Sequence, residues 1–227
     1  MGLDDGTSVE IWGFRALHNG SRGAGKGGLR WLVAKDETPE DAMKAAVGLA
    51  TLMSIKNSGV GIPYGGGKGD IFVPDRKYTD SDKARIVRAF SRELTLKEAV
   101  GTFQDVPAPD KGTDARMMAW FLDEHIRTLL EMGKIHDKLL QEELRKNLAD
   151  TDPGELVQSD EKTPYLDIYI DVLENDDTGV LRGVELGVIT GKPLRKGKKV
   201  QLGSLGRTKA TGRPKLNLLS LPQRLTG

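Results

Sequence analysis

The chain has 227 residues, 37% of them hydrophobic and 30% charged, with no cysteine and a formal net charge of +1. That size fits one large domain or two small ones with a substantial core. The composition excludes disulfides, thiol catalysis and cysteine metal sites, and no run approaches the ~20 apolar residues of a membrane-spanning helix.

The N-terminal "MGLDDGTSVE" is acidic and lacks the apolar stretch of a signal peptide, so a cytoplasmic location is expected. Residues 8–17, "SVEIWGFRAL", mix β-branched and aromatic side chains and predict a strand. "HNGSRGAGKGG" (18–28) reads as a loop from its Asn-Gly and repeated glycines, and "LRWLVAKD" as a second strand. Residues 38–59 predict a helix: Thr38 suits the N-cap and Pro39 the first turn, with Glu40 and Asp41 at the positive end of the dipole. Ala45, Val47, Leu49, Leu52, Met53 and Ile55 supply its expected apolar side, and Lys56 lies in its last turn.

"GIPYGGGKGD" (61–70) is a second glycine-rich stretch around a single lysine, Lys68, and "DIFVPD" reads as the strand after it. A capped helix over 79–100, an extended "FQDVPAPDKGTD" (103–114) and a helix over 115–132 complete an alternation of strand and helix, which argues for an α/β layered fold. Residues 133–183 are charged, broken by "DTDPGE" and "ENDDTG", and read as an insertion. Its acids Asp167, Asp171, Glu174, Asp176 and Asp177 lack the spacing of an EF-hand loop and read as a solvated face. "GVELGVIT" (183–190) predicts one more strand. The three histidines, His18, His125 and His136, show no ligand spacing, so no metal site is expected.

Charge is unevenly placed. After Glu185 there are ten bases and no acid, so the net +1 divides into −9 on residues 1–185 and +10 beyond. A basic arm of that kind is one signature of nucleic-acid binding, but a solvated connector explains it as well, and a nucleic-acid partner is not expected. Two phosphate-binding motifs are matched and refused. Gly23–Gly28 has the G-x-G-x-x-G spacing, yet a strand rather than a helix follows it; Gly20–Lys26 imitates a phosphate loop but has Gly27 where Ser or Thr should hold magnesium. Both leave the glycines as room around Lys26.

Lys26, Lys56 and Lys68, followed by "DVPAPD", resemble the N-terminal domain of the glutamate dehydrogenases and, more broadly, the Glu/Leu/Phe/Val dehydrogenase family. The matching stretches are "FRALHNGSRGAGKGGLR", "LATLMSIKNSGVGIPYGGGKG", "DVPAPDKGTDARMMAWFLDEH" and "VITGKPL…GSLGRTKATGR", in the family's order. The resemblance implies a single mixed sheet flanked by helices, a substrate-binding and dimerisation domain over 1–132, an insertion over 133–183, a family segment over 184–213 and a non-family tail over 214–227. It also implies reversible NAD- or NADP-dependent oxidative deamination of glutamate to 2-oxoglutarate, and a homo-oligomer formed through this domain. Lys68 would be the catalytic amine and Asp110 its proton partner. Lys56 would take the α-carboxylate and Lys26 the side-chain carboxylate, with Met53, Gly27 and Gly66 lining the pocket and Thr211 near the cofactor. A lysine ringed by glycines and near two other cations is the environment in which an amine becomes a base near neutral pH. A cation at position 26, where relatives acting on apolar amino acids carry an apolar residue, points to glutamate.

The chain also departs from the family's pattern. Asp70 stands beside Lys68 where a glycine is usual, Val73-Pro74-Asp75 replaces "VDP", and Lys111 replaces an apolar residue. No G-x-G-x-x-G follows "ATGR", so no complete Rossmann domain is expected and the chain alone is expected to be inactive. The alternative is a non-catalytic subunit that only oligomerises or binds dicarboxylate.

Overall fold

The stretch expected as a loop over 18–28 enters a strand at Gly25, and the second glycine-rich stretch, 61–70, enters one at Gly65. In the computed structural model, which describes residues 1–35, 37–151, 162–175 and 184–190, β1 runs Trp12–His18, β2 Gly25–Ala34, β3 Gly65–Pro74 and β4 Asp105–Pro109. Glycine is a poor strand former because it has no side chain to pack and much backbone freedom to lose. Tertiary contact overrides that preference here. A Cβ on Gly66 would lie 1.9 Å from the Ala50 carbonyl oxygen and 2.6 Å from Ser54 N, so the first long helix rests backbone to backbone on β3.

That helix, α1 (Pro39–Gly59), starts as expected: Thr38 and Asp41 form a reciprocal capping box with proline in the first turn. Its buried side differs from expectation. Ala42, Ala46, Ala50, Ser54 and Asn57 face the sheet, while Val47, Leu52 and Ile55 are exposed and Met53 is half-buried. Only small side chains fit where the helix backbone approaches β3 so closely, so the larger apolar residues turn outward.

The sheet order is β1-β3-β2-β4, with β1 antiparallel to β3 and the other neighbours parallel. This is the single mixed sheet flanked by helices that the resemblance implies. α2 (Asp80–Leu96), capped by a second box of Thr79 and Asp82, packs with α3 (Ala115–Glu131). Leu29, Ile71 and Val73 of the sheet join Val87, Phe121 and Leu122 in one core.

The described parts of 133–183 hold α4 (Lys138–Ala149) and α5 (Pro164–Glu174), whose Leu140, Leu144, Tyr169 and Ile170 belong to the same core. α5 is tethered to α3 by Asp123, which accepts from Leu166 N at 2.7 Å and pairs with Arg88 at 2.5 Å. The strand expected over 183–190 is instead a 3-10 turn, Val184–Val188. A backbone bond, Thr190 N to Pro107 O at 3.1 Å, ties the segment to β4, while Glu185 is buried and accepts from His136 N and Tyr169 Oη. Asp176, Asp177, the basic arm and Thr211 lie outside the described residues. No described helix is long and apolar enough to cross a membrane.

Candidate active site

Side chains alternate across a sheet, so Gly66, Lys68 and Asp70 of β3 share the face that meets α1, opposite Ile71 in the core beneath. Lys68 is only 8% exposed, and its Nζ donates to Asp110 Oδ2. Asp110 follows β4 directly and is fixed from three sides. Its N–H donates to Thr113 Oγ1 at 2.8 Å, the Thr113 hydroxyl donates to Leu29 O at 2.7 Å, and Lys111 N–H donates to Asp110 Oδ1 at 2.7 Å. Burial pushes the Asp110 carboxyl up. The hydrogen bonds from Lys68 and Lys111, with the charges of Lys68 and Arg30, outweigh burial and hold it below the ordinary carboxylate value.

β2 lies between Lys68 on β3 and Asp110 beyond β4. The register places Leu29 beside Gly69 and Gly28 beside Ala108, so Gly28 sits where the Asp110 side chain crosses. A Cβ there would come within 2.1 Å of Asp110 Oδ2. From the opposite face Arg15 donates to Gly28 O at 3.1 Å and pairs with buried Asp105, Nη2 to Oδ1 at 2.8 Å.

Asp70, the departure that places a carboxylate beside Lys68, is fully buried and faces Arg30, its register partner, in a two-point pair at 2.5 and 2.7 Å. Its charge is thereby engaged by a guanidinium whose planar fork matches a carboxylate.

Lys26 stands near the start of β2, beside Gly66 and Val106, half-buried, with Nζ donating to Thr190 Oγ1 at 2.8 Å and Val106 O at 3.2 Å. Asn57 of α1 fastens this end: its Nδ2 donates to Gly65 O at 2.6 Å and Lys26 O at 3.3 Å. Met53, one turn earlier, lies over Gly27, where an added Cβ would be 3.2 Å from Met53 Cγ. Lys56 is exposed, three residues from Met53 and so on the same side of α1, and its side chain makes no hydrogen bond or ion pair among the described residues. The structure thus brings Lys68 and Asp110 into contact, gathers Lys26, Gly27, Gly66 and Met53 around the openings of β2 and β3, and leaves Lys56 at the rim. Sequence reasoning missed Gly28, Arg30, Asn57, Thr113 and Thr190. Of these Thr113 alone carried a local signal, as a hydroxyl three residues after an aspartate across a turn glycine, Gly112 (φ 77°).

The described residues do not fit a nicotinamide dinucleotide. The glycine run with fingerprint spacing, Gly23–Gly28, leads into β2, whereas pyrophosphate binding needs a helix N-terminus after it.

A sequence model described as Glu/Leu/Phe/Val dehydrogenase, dimerisation domain, matches residues 1–127. Glutamate dehydrogenase B of Halobacterium salinarum is 40% identical over 122 residues, which are 54% of this chain and 27% of that protein. Among solved structures, the leucine-bound hetero-hexameric glutamate dehydrogenase from Thermus thermophilus is similar with a TM-score of 0.59 at 25% identity, covering 96% of this chain and 36% of its own. Glutamate dehydrogenase from Peptoniphilus asaccharolyticus is similar with a TM-score of 0.50 at 32% identity, over 58% and 30%. The chain therefore spans about a quarter of the length of the curated relative and about a third of these structures.

Proposed function

Because the chain belongs to the Glu/Leu/Phe/Val dehydrogenase family, we propose that it supplies the amino-acid side of a glutamate dehydrogenase reaction. The observation that carries this reading is the Lys68–Asp110 pair, an amine and a carboxylate held in contact by Gly28 and Thr113 on the face that Lys26 also borders. In this reading Lys26 pairs with the side-chain carboxylate of glutamate or 2-oxoglutarate, and Lys56 swings in from the rim to the α-carboxylate. Lys68 draws a proton from the water that attacks the substrate carbon, and Asp110 passes protons to and from the substrate nitrogen. NAD or NADP belongs to the proposal as the family's oxidant. The described residues offer it no seat, so the roles assigned here stop at binding substrate and moving protons.

Titration calorimetry with 2-oxoglutarate on the full chain tests the reading. A dissociation constant of about 1 mM is expected, near −4 kcal/mol, as for a few exposed charge contacts. It should weaken with salt, because the contacts are between charges. Lys26→Leu should weaken 2-oxoglutarate about tenfold and leave 2-oxo-4-methylpentanoate unchanged, since only the former brings a second carboxylate. An equal effect on both ligands would remove glutamate from the proposal. Turnover by this chain alone with glutamate and NAD or NADP is expected to be nil; a rate abolished by Lys68→Ala would overturn that part.

A homo-oligomer is the second part of the proposal. The outward row of Val47, Leu52 and Ile55 on α1 supports it, since large apolar side chains standing together on an exposed helix face mark an association surface.

A further inference from the structure

A pocket of about 510 Å³ opens at the N-terminal end of β4, away from Asp110. Its walls are the C-terminal ends of α2 and α3, the turn at Gly101–Gln104, residues 132–138 and Glu185. Half of its lining residues, Leu129, Ile135 and Glu185 among them, lie beyond the stretch that matches the family model, 1–127.

One lining residue carries a hydrogen-bonding valence that the protein does not fill. His125 is 3% exposed, and its Nδ1 lies 2.9 Å from Thr95 Oγ1. The Thr95 hydroxyl has a single proton, which it donates to Ser91 O at 2.8 Å, so Oγ1 must accept from His125 Nδ1–H. The other nitrogen, Nε2, is then a bare lone pair, and it has no hydrogen-bond partner among the described residues. Burial keeps the ring neutral, pushing its pKa down to about 4 against the opposing charge of Glu185. Nε2 is not sealed in, since Arg76 Nε is the one fully enclosed side-chain polar atom without a partner among the described residues, so this acceptor is open to a donor that enters the pocket.

The neighbouring charges are already engaged. Glu185 accepts from His136 N at 2.9 Å, from His136 Nδ1 at 3.1 Å and from Tyr169 Oη, and Lys134 pairs with Glu98. Lys138 donates to Gly133 O at 3.4 Å and Gln141 Oε1 at 3.5 Å, Thr102 and Gln104 add polar groups, and Val100, Leu129, Met132 and Ile135 contribute apolar surface. At the mouth Phe103 is 69% exposed and stands edge-on to His136, with 6.4 Å between ring centres. The volume falls in the ordinary range for small-ligand sites, which combine apolar walls with a few orienting polar atoms.

We propose that this pocket is a second small-molecule site, taking an uncharged, largely apolar ring compound whose single O–H or N–H group donates to His125 Nε2 while Phe103 covers its ring. It lies apart from the Lys68–Asp110 site and does not depend on the reading given to that site.

The test is nitrogen NMR of the full chain labelled with ¹⁵N-histidine at neutral pH, with p-cresol as probe and 4-methylanisole, the same body without the donor, as control. The His125 Nε2 resonance should move upfield on saturation with p-cresol and stay in place with the ether. The ether should bind about fivefold more weakly, the factor one net hydrogen bond supplies. His125→Phe, which keeps a ring and removes the acceptor, should bring the two affinities together. Since that variant leaves Thr95 without its donor and could fail to fold, the wild-type nitrogen shift decides by itself. No Nε2 shift with p-cresol, meaning that water alone meets this nitrogen, would overturn the proposal, as would equal shifts from both probes.

Discussion

Asp123 and His125, two residues apart on α3, should make stability respond to pH in opposite directions over one window. Asp123 is fully buried beside Arg88 and Glu124, and burial raises its pKa from 3.8 to about 6 despite the Arg88 charge. The folded state therefore holds that proton more tightly than the unfolded chain. Its contribution is complete below pH 3.8 and is lost as pH rises through about 6. His125 moves the other way, from 6.5 to about 4, because burial disfavours the imidazolium. Its contribution is complete above pH 6.5 and is lost as pH falls through about 4. At about 1.4 kcal/mol per pH unit, each shift is worth about 3 kcal/mol. Between pH 4 and 6 the two nearly cancel, so their sum should vary little there. Substitution uncouples them. Urea unfolding followed by circular dichroism across this range, taken as variant minus wild type, removes the shared titration of the other carboxylates. For Asp123→Asn the difference should rise by about 3 kcal/mol from pH 4 to 6, and for His125→Gln it should fall by about as much. A flat difference curve for either variant would refute the reasoning for that residue, since its proton would then be held equally in both states.

Gly28→Ala places a methyl 2.1 Å from Asp110 Oδ2 and 2.6 Å from Asp110 Cβ, which the backbone holds in place. The Lys68–Asp110 contact should break and stability should fall by about 2 kcal/mol, read by calorimetry alongside 2-oxoglutarate binding. Gly66→Ala meets backbone instead, 1.9 Å from Ala50 O, and should destabilise by about 3 kcal/mol or more through displacement of α1. Arg30→Met strands buried Asp70 as an unpaired charge, at a cost of about 3–5 kcal/mol in urea unfolding; the double variant with Asp70→Leu should recover most of it. Leu52→Glu with Ile55→Lys on the outward face of α1 should lower the molar mass measured by light scattering and leave the circular dichroism spectrum unchanged.

The caps at Thr38 and Thr79 and the apolar period of α3 were legible because they are local: the cap bonds reach three residues along the chain. The glycine-rich openings of the two lysine-bearing strands were not, since glycines carry no propensity for strand, and α1 presses directly on one of them. For the same reason the sequence pointed to the wrong side of α1. Val47, Leu52 and Ile55 look like a core stripe until the small residues Ala46, Ala50 and Ser54 prove to be the ones that fit against Gly66. Lys26, Lys68 and Asp110 could be named from motif order. Their partners Thr190 and Gly28 could not, because those contacts join residues up to 164 apart.

The glycine at 28 follows from where Asp110 comes from. An amine and its carboxylate partner on adjacent strands would need only two facing side chains. Here they arrive from β3 and from beyond β4, with β2 between them. An intervening strand ordinarily raises a side chain between its neighbours; at Gly28 it raises none, and the carboxylate passes over it. The strand must still be held flat against the pull of that buried ion pair. Arg15 does so from beneath, bonding Gly28 O and pairing with Asp105, while Thr113 holds Leu29 O from above. Glycine at 28 is therefore a requirement of sheet order rather than of loop freedom, and a chain with β2 at the sheet's edge would have no need of it.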